Sequence, residues 1–278
     1  MQLIINGQPV TAQPGQSLLD MVRQMGLITG KLSADPLAAK IAGEIFTLNY
    51  IPLRQKDVCE ERESIRKAMA ASGGKVQLLY YQDPTGKDAY TRTAQFVLFL
   101  ALWQLWPKAR ATMNCTVGAG LYIKVTGAQD FTAQKVKEQV QKIVEQDIPL
   151  LRHRITTQEA IDYYTAQGQD DKAQLLAYRQ IPTLDVYKHG DFADYYYGEM
   201  APSTGFLRVW DILEAPDGFM FIFPNDLMPD RVATYRESPN LFSVYTEGRQ
   251  WGELMECETV ADLNELVDSG RDLHVFRI

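Results

Sequence analysis

The segment from Phe96 to Trp106 is the longest apolar run of the chain, eleven residues interrupted only by Gln104. It predicts a helix that begins near Thr91 or Thr93 and ends at Pro107, since proline cannot continue a helix. A membrane-spanning helix needs about 20 residues, so this run is too short to cross a bilayer. A helix that is apolar on every side must instead lie inside a folded domain. The chain has 278 residues, 46% of them hydrophobic, which is enough for roughly two domains.

The first 58 residues have the pattern of a small β-grasp domain. Asn6-Gly7 lies between two short apolar segments and predicts a tight hairpin. Ser17 is a suitable N-cap for a helix with apolar residues at helical spacing. Alternating residues from Ala38 to Leu53 predict further strands around the turn Gly43-Glu44. Together these elements predict an α+β fold that begins with a ubiquitin-like β-grasp over residues 1–58.

The rest of the chain divides into three further segments. Residues 59–75 are charged, end in Gly-Gly and are predicted to be a linker. Residues 76–224 predict a second α+β domain, which opens with a strand from Val76 to Tyr81 and is built around the apolar helix. After Pro224 the chain becomes polar, and residues 225–278 predict a C-terminal helical extension.

Charge and residue types argue against several classes of protein. The chain has 28 basic and 35 acidic residues, and its net charge of −7 disfavours a free-standing nucleic-acid binder. The three cysteines form no CxxC motif and no two histidines are spaced i, i+4, so neither a disulfide framework nor a metal site is expected. No loop has the G-x-x-x-x-G-K-[ST] pattern of a P-loop. The start of the chain lacks the apolar core of a signal peptide, and a cytoplasmic protein is predicted.

Three features could contribute to a functional site. His189 follows a predicted strand and could be a lone catalytic base, although a partly exposed loop histidine is favoured. Cys115 lies beside a glycine-rich turn and could face a pocket, although a small buried thiol is favoured. The segment from Asp191 to Gly205 contains three consecutive tyrosines, which could stack a base or ribose or fill a wall of the domain. The residues alone do not decide between these last two roles.

The order of these motifs resembles the N-terminal half of threonyl-tRNA synthetase, a TGS domain followed by an editing domain (the second additional domain). The resemblance covers about residues 1–225. It rests on the β-grasp start, the helix entry from Thr91 to Gln95 that leads to Leu105-Trp106-Pro107, the strand entry Gly120-Leu121-Tyr122, and the segment 194–205. In the synthetase the helix entry carries H-x-x-x-H and the late segment carries C-x-x-x-H. The resemblance implies that these four groups surround an editing pocket, since residues one helical turn apart point the same way.

This sequence departs from the family pattern at all four positions. Thr91 and Gln95 stand in place of the two histidines, and Tyr196 and Met200 stand in place of the cysteine and the histidine. None of the four supplies a nitrogen that titrates near neutral pH, so inherited deacylase activity is not expected. The remnant pocket is predicted to hold no catalytic or metal-binding group. Its predicted lining is Thr91, Gln95, Cys115, Tyr196, Met200, Ser203 and Thr204.

A second resemblance is to bacterial uridine kinase-like nucleoside kinases, which carry a TGS-plus-editing-like half ahead of a P-loop kinase domain. The segment 194–205 is similar to their Asp-Tyr-x-Tyr-Gly-x-Met-x-Pro-Ser-Thr-Gly, and residues 261–267 and 271–278 resemble the region before the kinase domain. This implies a non-catalytic, ligand-binding or regulatory region whose partner is a C-terminal kinase domain of the same chain, the part that would use ATP and Mg.

Further expectations follow from this second resemblance. The segment itself is expected to need no cofactor and to bind a small molecule, with neither nucleic acid nor a membrane as partner. The alternatives are a stand-alone editing hydrolase of aminoacyl-tRNA and an interaction module that docks through the edge of the β-grasp.

Overall fold

The N-terminal hairpin forms where the sequence predicts it, with strands β1 (Gln2–Ile5) and β2 (Gln8–Thr11) paired antiparallel. The turn residues Asn6 and Gly7 both have positive φ, 49° and 77°, as a type I′ turn requires. The structure is a computed structural model that describes residues 1–53, 67–69, 71–179, 181–236 and 239–270.

Helix α1 (Leu18–Gln24) follows the hairpin and begins at a capping box. The Ser17 hydroxyl accepts a hydrogen bond from the Asp20 N–H at 3.1 Å, and the Asp20 carboxylate accepts one from the Ser17 N–H at 3.0 Å. Strands β3 (Ala38–Ile41) and β4 (Glu44–Thr47) then form a second antiparallel hairpin. Hairpin, helix and hairpin follow one another as predicted.

The central strand of the first sheet comes from a segment that the sequence assigned to the second domain. Strand β5 (Lys75–Leu79) pairs parallel with β1 and antiparallel with β3, so the sheet order is β2-β1-β5-β3-β4. Val76 and Leu78 are buried while Lys75 and Gln77 are exposed, which is the alternation of a strand with one face on a core. The prediction that this strand opens the second domain is wrong. The two hairpins need a strand between them to complete the β-grasp.

The linker predicted at 59–75 lies mostly outside the described residues. Grouped by its contacts, the chain falls into two units: residues 1–152 with 187–235, and residues 153–186 with 236–278. The first unit contains both the β-grasp and the sheet described next.

A four-stranded antiparallel sheet forms the framework of the second fold in the first unit. Its order is β11-β12-β7-β6, and the turn between β6 and β7 carries Gly118. The four strands are β6 (Arg110–Val117), β7 (Gly120–Thr126), β11 (Asp211–Ala215) and β12 (Gly218–Ile222).

Helix α2 (Pro84–Leu105) contains the long apolar run and is buried, as predicted. Phe96, Leu98 and Leu100 are fully buried, and the helix contacts α3 (Ala133–Glu145). It begins about eight residues earlier than the sequence predicts, because Asp83-Pro84-Thr85-Gly86 is its first turn and not a separate turn. Proline suits the first position of a helix, where no N–H bond is lost. Gly86 is needed because a Cβ there would lie 1.9 Å from the Tyr80 carbonyl oxygen.

The remaining elements complete an α+β fold. Strands β8 (Arg152–Thr156), β9 (Thr183–His189) and β10 (Phe192–Tyr195) form a three-stranded sheet in the order β10-β9-β8. The later helices are α4 (Thr157–Ala166), α5 (Asp170–Ala177), α6 (Pro239–Leu254) and α7 (Val260–Asp268). None of the helices in the described part of the chain has the length and apolar character to cross a membrane.

Candidate functional site

One face of α2 contacts the tyrosine-rich segment 194–205. The Thr93 hydroxyl accepts a hydrogen bond from the Ala201 N–H at 2.9 Å and donates one to the Ala89 carbonyl at 2.8 Å. The Arg92 Nε donates to the Glu199 carbonyl oxygen at 2.9 Å. Arg92, Thr93 and, one turn on, Phe96 therefore form the helix side of the candidate site.

Thr91 and Gln95 lie one residue before Arg92 and Phe96 and are half-buried. Successive helical positions differ by about 100°, so Thr91 and Gln95 point in another direction from the pair that follows them. The contacts with segment 194–205 described above come from Arg92, Thr93 and Phe96. The predicted role of Thr91 and Gln95 in a pocket stays a prediction.

Four aromatic rings pack together where α2 meets segment 194–205. We call them the aromatic cluster: Phe96, Tyr187, Phe192 and Tyr196. The Phe96 ring lies 6.4 Å from Tyr187, 5.5 Å from Phe192 and 6.3 Å from Tyr196, centroid to centroid, each edge to face. Tyr187 and Tyr196 are 6.2 Å apart. Of the two roles that the sequence left open for the tyrosines, Tyr196 has the packing one.

Tyr196 also carries an unusual polar atom. Its hydroxyl is buried and has no hydrogen-bond partner among the described residues. Burial raises the pKa of Tyr196 well above its usual value, and the charge of Asp194 adds to this. The phenol therefore stays protonated at neutral pH, where it can donate a hydrogen bond but cannot act as a base.

The neighbouring tyrosines face the other way. Tyr197 is 65% exposed, and its ring meets Tyr195 edge to face at 5.7 Å. This alternation is that of an extended chain, in which residues 195 and 197 share one side and 196 the other. Tyr196 is half-buried with its hydroxyl enclosed, whereas Tyr197 is exposed, so the triplet has one packed ring and one surface ring.

Glu199 is a buried carboxylate within the same segment. Its Oε1 lies 2.9 Å from an Arg152 guanidinium nitrogen, and its Oε2 accepts a hydrogen bond of 3.3 Å from the Tyr187 hydroxyl. Buried charges are tolerated when they are paired in this way. Arg92, Arg152, Tyr187 and Glu199 were not among the predicted site residues. The Arg92–Phe96 pair could have been found from its i, i+4 spacing in the helix entry.

Ser203 and Thr204 have a structural role that the sequence did not predict. The Thr204 hydroxyl donates to the Ile143 carbonyl at 2.7 Å and accepts from the Ile148 N–H at 2.9 Å. The Ser203 hydroxyl donates to the Asp147 carboxylate. The bond from Thr204 satisfies the Ile143 carbonyl in the last turn of α3, where a helix leaves its carbonyls without an intrahelical partner. Both side chains are buried, and their bonds fasten segment 194–205 to α3.

The other predicted lining residues are Met200 and Cys115, and their role in lining one pocket stays a prediction. Met200 is fully buried next to the helix contact, whereas Cys115 is half-buried on β6, opposite Tyr122 in the four-stranded sheet. Burial raises the pKa of the Cys115 thiol, which favours its inert, protonated form. The segment 194–205 belongs to a different part of the fold from β6.

Two of the three histidines lie in the part of the chain that the structure describes, and neither belongs to a group that could hold a metal ion. His153 is exposed on β8, His189 is half-buried at the end of β9, and His274 lies outside the described residues. Across the described ranges no three His, Cys, Asp or Glu side chains come close enough to hold a metal ion.

The chain is similar to curated threonine–tRNA ligases, whereas no protein-family model matches it. It is 24% identical to the ligase of Clostridium kluyveri over 279 residues, which covers 98% of this chain and 39% of the ligase. It is 28% identical to the ligase of Desulforamulus reducens over 200 residues (70% and 28%) and 25% identical to that of Desulfovibrio desulfuricans over 224 residues (79% and 32%). The chain thus spans about two fifths or less of the ligases it matches.

These comparisons correct the second resemblance drawn from the sequence. The similarity to threonine–tRNA ligases runs through 98% of the chain. The interpretation of the chain as a regulatory region of a uridine or nucleoside kinase is therefore wrong. The first resemblance is supported, and the α+β fold with an N-terminal β-grasp and an editing-like domain is confirmed.

Proposed function

We propose that this chain is a threonyl-tRNA synthetase-related binding module. It recognises threonine or the aminoacylated end of a tRNA, and it does not hydrolyse the ester. The name of its relatives gives threonine and tRNA as the two molecules that they join. The support is the similarity along nearly the whole chain, combined with the loss of hydrolytic groups from the editing-like site.

The packing of Tyr196 is the observation that carries the proposal. Hydrolysis of an aminoacyl ester needs a group that activates water, and such a group works best with a pKa near the working pH. At this site Tyr196 is a protonated phenol inside the aromatic cluster, and Met200 is a buried thioether. The Thr93 hydroxyl is held by two backbone groups. A site of this kind binds a ligand without supplying a base.

A second candidate is an editing hydrolase that uses His189. This histidine lies two residues after Tyr187 on β9 and therefore on the same side of the strand. It is half-buried. Imidazole is the side chain whose ordinary pKa suits general-base catalysis at neutral pH.

A deacylation assay with threonyl-tRNA and seryl-tRNA distinguishes the two candidates. The chain should leave both esters intact relative to buffer and should retain threonyl-tRNA or threonine in equilibrium binding. If the chain hydrolyses either ester faster than buffer does, and the His189→Ala variant abolishes this hydrolysis, the proposal is overturned in favour of the hydrolase. The His153→Ala variant is the matched control, because it removes an exposed histidine of β8. Absence of binding to both ligands would also overturn the proposal.

A further inference from the structure

Arg92 is placed at the candidate site by two contacts. It lies on α2 and is half-buried, and its Nε is fixed by the Glu199 carbonyl oxygen at 2.9 Å. Its guanidinium lies over Gly198, where a Cβ would be 3.0 Å from Cζ, 3.1 Å from Nη2 and 3.3 Å from Nη1. Gly198 has a φ of +118°, a backbone conformation that glycine adopts readily. Because it has no Cβ, it also leaves room for the Arg92 guanidinium.

The two Nη atoms of Arg92 have no hydrogen bond or ion pair with any residue that the structure describes. The acidic side chain closest in sequence to this contact, Glu199, is already bound by Arg152 and Tyr187. The positive charge of Arg92 is therefore not neutralised by that carboxylate. A guanidinium anchored through Nε presents its Nη edge as a fork that matches the two oxygens of a carboxylate or a phosphate.

Tyr196 supplies an independent observation of the same kind. Its hydroxyl is buried without a partner, two residues before Gly198, and its ring packs on Phe96, one helical turn after Arg92. A buried donor without a partner costs free energy unless something else accepts its hydrogen bond. Arg92 and Tyr196 are both donors, so the group that this region lacks is an acceptor.

We propose that Arg92 binds an oxyanion of the ligand, with Tyr196 as a further donor in the same region. The inference rests on the proposed function and names the chemistry of its ligand. The oxyanion has two possible sources, which share this chemistry. A free amino acid offers its carboxylate, whereas the carboxylate of an aminoacyl-tRNA is esterified and only its phosphates are anionic.

Thermal unfolding of the full chain in sodium phosphate, sodium acetate and sodium chloride at equal ionic strength tests the inference. A ligand that binds the folded state raises the unfolding midpoint with its concentration, which gives an apparent Kd. We expect stabilisation beyond chloride by phosphate or by acetate, and the anion that stabilises more identifies the source. Equal midpoints in all three salts would overturn the inference.

Variants connect the binding to Arg92. Arg92→Gln should raise the apparent Kd of the stabilising anion at least tenfold. Arg92→Lys should raise it less, since lysine keeps the positive charge but loses the forked pair of donors. Arg231→Gln removes an exposed arginine in the loop after β12 and is the matched control. An apparent Kd for Arg92→Gln equal to that of the unaltered chain would overturn the inference. The three variants are compared by the concentration dependence of their midpoints, so a lower starting midpoint does not affect the result.

The outcome is separable from that of the deacylation assay. Binding of threonine or threonyl-tRNA without hydrolysis, together with an unchanged anion affinity in Arg92→Gln, would leave the proposed function and remove the oxyanion site. Hydrolysis together with Arg92-dependent anion binding would overturn the proposed function and leave the oxyanion site.

Discussion

The hydroxyl of Thr93 accepts a hydrogen bond from the backbone N–H of Ala201 at 2.9 Å, across 108 residues of sequence. Both residues are buried. The bond fixes the position of segment 194–205 against α2, and the contacts of Arg92 and Tyr196 depend on that position. Thr93 is therefore a positioning residue of the candidate site.

Thr93→Val keeps the shape of the side chain but removes the acceptor, which leaves the Ala201 N–H buried without a partner. We expect the free energy of unfolding to fall by about 1–3 kcal/mol, measured by urea denaturation. Thr93→Ser retains the hydroxyl and is the control, with a smaller loss. Equal losses in the two variants would show that the methyl group, and not the hydrogen bond, determines the effect.

Tyr196→Phe removes a hydroxyl that has no partner among the described residues, so no hydrogen bond is lost. In buffer without phosphate or carboxylate, we expect an unchanged or slightly increased free energy of unfolding. Tyr187→Phe is the matched variant, because that hydroxyl bonds Glu199 and the Gly198 carbonyl. It should lose about 0.5–1.5 kcal/mol. A loss for Tyr196→Phe as large as that for Tyr187→Phe would contradict the prediction.

Gly198→Ala should destabilise the protein more than Gly118→Ala. Gly118 has a φ of +59° and open space where a Cβ would be, so only the backbone cost of about 1–2 kcal/mol applies. At Gly198 the φ of +118° is less favourable for alanine, and the new Cβ would meet the Arg92 guanidinium. Chemical denaturation of both variants gives the comparison. A smaller loss at Gly198 would mean that Arg92 does not rest on this glycine.

Asp35 should make stability depend on pH at the acidic end. Burial opposes its ionisation, but hydrogen bonds from Thr29 and the ion pair with Arg208 outweigh it and hold the pKa of Asp35 below its usual range. A carboxyl whose pKa is lower in the folded state than in the unfolded chain stabilises the protein at pH values above its unfolded pKa, which for Asp is about 3.9. This contribution is lost as the pH falls from there through the folded pKa.

Asp35→Asn should therefore be less stable than the unaltered chain at pH 7, with a difference that shrinks below about pH 4. Denaturation curves between pH 7 and pH 3 measure it. Asp20→Asn is the control: the pKa of Asp20 is also lowered, by its bonds to Ser17, but it is exposed and its effect should be smaller. A difference for Asp35→Asn that stays constant with pH would contradict the argument.

Local patterns predicted the elements whose signals lie within a few residues. Asn6-Gly7 specifies its own turn through backbone freedom, and the run from Phe96 to Trp106 can be stable only when surrounded by protein. The membership of β5 could not be predicted in this way, because its partners β1 and β3 are distant in sequence. The start of α2 was misplaced since proline and glycine are common in turns as well as in the first turn of a helix.

The candidate site was predicted less completely than the fold. The sequence drew attention to segment 194–205, but a shift of one residue on α2 changes the direction of a side chain by about 100°. This separates Thr91 and Gln95 from the contacts made by Arg92 and Phe96. Thr204 binds the Ile143 carbonyl and the Ile148 N–H, and Ser203 binds the Asp147 carboxylate. No local pattern shows which distant group needs such a partner.

The order in which the chain is synthesised gives the central position of β5 a further consequence. The β1–β2 and β3–β4 hairpins leave the ribosome first, and their inner edges have no partner until residues 75–79 follow. Bare strand edges pair readily with other chains, so a product terminated before residue 75 should aggregate and not yield a free β-grasp. The first sheet can therefore be completed only after the ribosome has already translated the start of α2.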